Sequence, residues 1–354
     1  MKKKLKIEQL TGLRSFAALL VFLSHSSWDG TTLYLAKIFE SGYVGVSFFF
    51  LLSGFVLSYS YKERVLNHSL SYLKYSLVRL ARLSPLHLLT AFPFVLYALY
   101  ESDLNFFKLL LNIFYLQSWI PNSSYYFSFN GSSWSLSNEM FFYICFFPLV
   151  FIRTKNLFKI FVLLLLVIIS SAFWVDHFFF EKILFGEALL AHWLFYIFPG
   201  FRLLEFITGM LLFKLWEARF RLPSWLIFPA YLLLLVSMYF APNVSESFRF
   251  SLFFLPFITL FFYTHLSGSG VFVRFYSSRI MVLLGNASFA FYLIHQPLIV
   301  LFKQILVRYR YEFSNFSFFV FSYFFITLFS IFIYALYERK AEYFLKSIVN
   351  QKIR

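Results

Sequence analysis

Leu10 to Trp28 reads LTGLRSFAALLVFLSHSSW. The run is long and apolar enough to cross a bilayer, which takes about 20 residues. Yet it holds a guanidinium, Arg14, and an imidazole, His25. Ionisable groups at membrane depth are costly and normally face the protein interior or a watery cavity. Eleven helical steps of about 100° return Arg14 and His25 to one face, roughly 16 Å apart along the axis. One helix face would thus present an anion-binding group near one side of the membrane and a general base nearer the other. The competing account is a snorkelling Arg14 and a His25 lodged cheaply among Ser24, Ser26 and Ser27. A signal peptide fits the preceding Lys2, Lys3, Lys4 and Lys6, but no A-x-A cleavage signal follows.

The rest of the chain repeats the apolar theme. Hydrophobic residues make up 60% and charged residues 13%, with a mean hydropathy of +0.74, whereas about a quarter of a soluble domain is charged. The reading is an all-α polytopic membrane protein. Ten spans fit the runs and breakers: about 10–28, 43–61, 83–100, 134–152, 157–175, 192–213, 224–240, 248–266, 284–302 and 314–337. Pro199 and Gly200 interrupt the sixth, and residues 106–119 are apolar but too short, an interfacial or re-entrant segment. Outside these spans, and counting Lys159 in the first turn of the fifth, one side collects 22 Lys and Arg and the other 6. The positive-inside rule then puts both termini in the cytoplasm. The net charge of +15 is accounted for by this topology, so no nucleic-acid partner is expected. Residues 1–354 form a single membrane domain, with 338–354 an amphipathic cytoplasmic tail on the membrane surface. The single Cys145 excludes an intrachain disulfide, and no metal site is expected.

Further ionisable residues fall at membrane depth. Arg79 and Arg82, in RLARLSPLHL, share a helix face at the cytoplasmic start of the third span, marked by Pro85. Two guanidiniums so placed can grip a phosphate bidentately or simply anchor lipid head groups. Glu139, in WSLSNEMFFYICFF, lies about a turn inside the fourth span. It can cap that turn or, at a depth like that of His25, orient the imidazole. Glu205 repeats the pattern and can pair with Arg202. Tyr292, His295 and Pro297 sit near the middle of the ninth span, where Pro297 frees a backbone carbonyl. His295 can either hydrogen-bond that carbonyl or serve a substrate. Gly42, Gly45 and Gly54 read as helix-packing positions. No P-loop, Rossmann fingerprint, HExxH or G-x-S-x-G is present.

Together these stretches resemble the acyltransferase-3 family of integral membrane acyltransferases. The resemblance rests on LRSFAALLVFLSH, GYVGVSFFFLLSGF, RLARLSPL, WSLSNEMFFY, RLLEFITGML and LGNASFAFYLIHQPL, in that order along nearly the whole chain. It implies an acyl-CoA donor, commonly acetyl-CoA, reached from the cytoplasm as a substrate and not a resident cofactor. It implies O-acyl transfer to a glycan hydroxyl, as on lipopolysaccharide O-antigen or exopolysaccharide, in the inner (cytoplasmic) membrane. It also implies that Arg14 and His25 are essential and that Arg79, Arg82 and Glu139 belong to the site. The working assignment is His25, Glu139 and Arg14 catalytic, Arg79 and Arg82 on the coenzyme A phosphates, and Tyr292, His295 and Glu205 on substrate, with Tyr292 or His295 donating to the thioester oxyanion.

Two positions depart from the family pattern: Lys340 follows Glu338-Arg339 where proline is common, and His87 stands where tyrosine is common. No added periplasmic esterase-like domain is present, so this membrane domain or a separate periplasmic partner completes the transfer. The rival reading, a lipid-linked glycan flippase or polymerase, would put pyrophosphate-lipid on the same arginines.

Overall fold

The computed structural model describes residues 7–26, 33–178, 189–311 and 314–352, so the four N-terminal lysines and Trp28 lie outside the described residues. Those residues form helices and connecting turns, with no β-strand among them. The helices are α1 Glu8–Ser24, α2 Leu33–Glu40, α3 Val44–Leu66, α4 Tyr72–Tyr100, α5 Phe106–Ile113, α6 Ser123–Tyr126, α7 Trp134–Leu149 and α8 Thr154–Phe178. They continue as α9 Leu190–His192, α10 Pro199–Glu217, α11 Ile227–Phe240, α12 Glu246–Phe248, α13 Leu255–Ser267 and α14 Val271–Tyr276. The last are α15 Arg279–Tyr309, α16 Asn315–Ile333 and α17 Arg339–Lys352.

Among the described residues, eight helical stretches are long and apolar enough to cross a membrane. The first and fourth expected spans are helical too but shorter, at 17 residues for α1 and 16 for α7. The chain is therefore an all-α polytopic membrane protein.

Helix α1 packs against α15 and α3, and α3 packs against α10. The glycines explain how closely. A Cβ on Gly54 of α3 would fall 1.9 Å from the Phe206 carbonyl oxygen, and one on Gly209 of α10 would fall 1.9 Å from that of Leu51. Gly45 stands in the same relation to α1, its added Cβ 2.3 Å from the Ala17 oxygen. With no hydrophobic force between helices in lipid, such backbone approach supplies the dispersion contact that holds them. Gly54→Ala is expected to cost about 3 kcal/mol, read as a lower Tm of the detergent-solubilised protein.

The sixth span is broken, as Pro199 and Gly200 foretell. A π-helical turn covers Trp193–Ile197, Phe198 is extended, and Pro199 opens α10. Freed carbonyls at membrane depth need donors. Ser251 Oγ donates to Phe195 O at 3.3 Å, and Asn138 Nδ2 donates to Ile197 O at 3.1 Å.

The loop before α7 runs back into the protein. Asn130 Nδ2 donates to Leu293 O at 2.8 Å, near the middle of the 31-residue α15. That carbonyl lacks its helical partner because residue 297 is proline. Buried side chains bond three backbone carbonyls around the loop: Gln117 Nε2 to Ser133 O at 3.1 Å, Ser118 Oγ to Trp134 O at 2.8 Å, Ser137 Oγ to Tyr115 O at 2.6 Å. His87 joins in through Nε2 to Asn112 O at 3.1 Å. The chain from the short apolar segment to α7 thus folds back against α15, with Phe106 and Phe107 exposed.

Candidate active site

A cavity of about 1300 Å³ lies between α1, α3, α4, α7, α15 and α17. Its rim carries Glu63, Arg64 and Ser69 at the end of α3 and Lys346 on α17, the side that charge asymmetry assigns to the cytoplasm. Its walls are apolar, with Leu52, Phe55, Leu57, Leu83 and Phe289. Arg14, Arg79, Arg82, Glu139 and Tyr143 also face it. A narrow recess of about 30 Å³ shares Arg14, Phe49, Glu139 and Phe289 with it and continues to Ser135, Ser288 and Tyr292. The structure thus brings together Arg14, Arg79, Arg82 and Glu139, and through the recess Tyr292.

The three arginines are not equivalent. Arg82 is held by carboxylates: Nη1 bonds Glu338 and reaches Glu342 at 3.2 Å, while Glu342 also pairs with Lys346. Arg79 lies between the rings of Tyr61 and Tyr143, its guanidinium carbon 5.3 and 5.2 Å from their centroids. The Nε atoms of Arg79 and Arg14 are buried with no hydrogen-bond partner. Arg14 and Arg79 therefore retain the donors that an anion can use, whereas a phosphate at Arg82 must compete with two carboxylates. Arg79→Ala is expected to weaken binding of a phosphate-bearing ligand roughly tenfold with the Tm unchanged. Arg82→Ala is expected to cost about 2 kcal/mol of stability, because Glu338, 2% exposed, loses its counter-charge. Isothermal titration and a thermal melt on the two variants separate the cases.

Several sequence expectations are revised. Helix α4 begins at Tyr72, capped by Ser71, and carries Pro85 in its interior. Arg79 and Arg82 are therefore well inside a helix and not at its start. Glu139 is in the second turn of α7, where Tyr143 donates to its Oε2 at 2.6 Å. It neither caps the helix nor meets His25. The loop before α7 is tied to the middle of α15 through Asn130, and Glu139 lines the same cavity as Arg14.

Glu205 lines neither the cavity nor its recess. It is fully buried in an ion pair with Arg202 at 3.2 Å, and Arg202 also donates to Ser47 at 2.8 Å and Ser251 at 3.2 Å. That cluster joins α3, α10 and the π-helical turn Arg249–Phe253 and holds Glu205 away from the cavity residues it was expected to join. The C-terminal segment 338–354 is docked on α4 as far as it is described, and exposes Tyr343 and Phe344. Surface attachment alone does not describe it.

His25 caps α1, with Nδ1 2.8 Å from Val21 O. It lines neither the cavity nor the recess, so Arg14 and His25 do not share one open passage. A chain of rings links them instead: Tyr292 in the recess lies 5.7 Å from His295, and His295 lies 5.0 Å from His25, centroid to centroid. Nδ1 of His295 is 2.6 Å from Tyr292 O, and the freed Leu293 carbonyl goes to Asn130 instead.

Sequence reasoning passed over Tyr143, Arg64, Glu342 and Lys346. Tyr143 follows Glu139 by four residues, the spacing of helix neighbours, and was legible on that ground. Arg64 and Lys346 were indistinguishable from other topology-setting cations.

Among the described residues, an all-helical bundle with a polar cavity let into it defines a polytopic membrane protein. The chain belongs to the acyltransferase-3 family, whose model, described as an acyltransferase domain, matches residues 7–335. The acyltransferase MdmB of Streptomyces mycarofaciens is 36% identical over 155 residues, 40% of this chain and 38% of that protein. The matched part is thus well under half of either chain. No solved structure gives a significant match.

Proposed function

We propose that this protein is a membrane acyltransferase that takes an acyl group, acetyl in the simplest case, from acyl-CoA on the cytoplasmic side. The acceptor is a hydroxyl of a cell-surface glycan. The observation that carries the reading is the cavity, lined by Arg14, Arg64, Arg79, Arg82 and Lys346 against Glu63, Glu139 and Glu342, with apolar walls between its mixed-charge rim and the Arg14–Glu139 floor. Its volume exceeds the roughly 300–1,000 Å³ of drug-sized sites, as a nucleotide with a long pantetheine arm requires. Phosphates are held at Arg79 and Arg64, and the acyl end points towards Tyr292 along the recess, which must open for the thioester to reach His25.

His25 supplies the base. Its Nδ1 faces a carbonyl oxygen, which can only accept, so the neutral ring carries its hydrogen there and a lone pair on Nε2. Nε2 takes the proton of the acceptor hydroxyl as that oxygen bonds the thioester carbon. The C–S bond then breaks and the thiolate leaves with the proton from His25. Glu139, with Tyr143, balances Arg14 at the floor. The same tautomer argument removes neutral His295 as an oxyanion donor and leaves that part to Tyr292.

Membranes containing the protein and acetyl-labelled acetyl-CoA are expected to move label into saponifiable ester on surface glycan, with glycan chain length unchanged. Unconsumed acetyl-CoA together with altered chain length would overturn the reading in favour of a glycan-lipid flippase or polymerase.

A further inference from the structure

One buried atom near the middle of α15 has no work in the bundle. His295 is 1% exposed, and its Nδ1 donates to Tyr292 O at 2.6 Å. The neutral ring therefore holds a bare lone pair on Nε2, and that Nε2 is buried without a hydrogen-bond partner. Orphaned polar atoms of this kind are few in folded proteins and call for an explanation. The usual one, a role in tying down the Pro297 kink, fails because Asn130 already takes the Leu293 carbonyl. His25 repeats the arrangement, with Nδ1 on Val21 O at 2.8 Å. The two rings stand edge to face, centroids 5.0 Å apart at 74°, and Phe291 stacks on His295 at 6.2 Å and 4°. Two adjacent imidazoles of the same tautomer offer two acceptors and no donor. A ligand that satisfies both must bring two hydrogens.

We propose that His295 is a specificity-determining residue which, with His25, selects a polyol. His25 Nε2 receives the proton of the reacting hydroxyl, and His295 Nε2 accepts the hydrogen bond of a neighbouring hydroxyl on the same molecule. Only His25 takes up a proton, which it returns to the departing thiolate; His295 gains a hydrogen bond and nothing else. The inference rests on the acyl-transfer reading above and narrows its acceptor to compounds with two nearby O–H groups, in preference to mono-alcohols.

The test compares wild type, His295→Gln, His295→Leu and His295→Phe in membranes given labelled acetyl-CoA, with glycerol or 1-propanol as competing acceptor. A glutamine amide oxygen can accept where the imidazole does. His295→Leu and His295→Phe are expected to lower transfer by about 10- to 100-fold, and His295→Gln only a few-fold. Coenzyme A binding stays unchanged in all. Glycerol competes several-fold better than 1-propanol in wild type, and the preference vanishes in the Leu and Phe variants. Equal competition by the two alcohols in wild type, full transfer in either apolar variant, or a glutamine variant as inactive as a folded leucine variant would each overturn the assignment. No transfer by wild type would instead overturn the underlying acyltransferase reading, and this inference with it.

Discussion

Alanine at position 25 is expected to reduce acyl transfer by roughly 100- to 10,000-fold, the range a positioned general base supplies, while acetyl-CoA still binds with wild-type affinity. The separation follows from placement. His25 lies beyond Tyr292 and His295, outside the cavity that the donor is proposed to fill. Its removal takes nothing from the arginines that hold phosphate. His25→Gln should not restore the rate, because an amide accepts a hydrogen bond but does not take up a proton. The measurement is single-turnover transfer alongside coenzyme A titration on the same membranes. A variant that transfers at the wild-type rate, or that loses donor affinity in step with rate, would remove the imidazole from the chemistry.

The second large effect is on stability. Glu205→Leu is expected to cost about 3–5 kcal/mol, the penalty for leaving one member of a buried ion pair alone. Arg202 is fully buried and would keep only Ser47 and Ser251 as hydrogen-bond partners. Replacing both residues, Arg202→Leu with Glu205→Leu, should recover much of the loss, since no unpaired charge remains. Thermal melts of the three variants in one detergent decide the matter. If the single and double variants melt alike, the pair is not the fastening it is taken for.

The helical bundle was legible from hydropathy because apolar runs and breakers fix where a chain enters and leaves lipid. Where they are described, the ten expected spans contain helix, eight of them long and apolar enough to cross a membrane, and Pro199 marked a real break. Depth was not legible. Glu139 was expected level with His25 because α7 was assumed to start at the surface. Where it starts depends on Asn130, 163 residues away in sequence from its partner carbonyl on Leu293. Glu205 and Arg202 could be paired from their spacing, but the closure of that pair from any cavity depends on Ser47 and Ser251, on other helices. The tail misled for a similar reason: its amphipathic pattern is the same whether its polar side meets water or Arg82.

The glycine seams divide the cavity into unequal parts. Where α1 meets α3, and α3 meets α10, backbone lies against backbone, and no side chain there can change rotamer to make room. That side behaves as a fixed casing. Opposite it, Arg82 of α4 bonds Glu338, at the end of the turn before α17, and Glu342 of α17, so side chains and not backbone close that side. Any widening needed to admit a bulky ligand, or to let a spent one go, is therefore expected on the side closed by ion pairs and not along the seams.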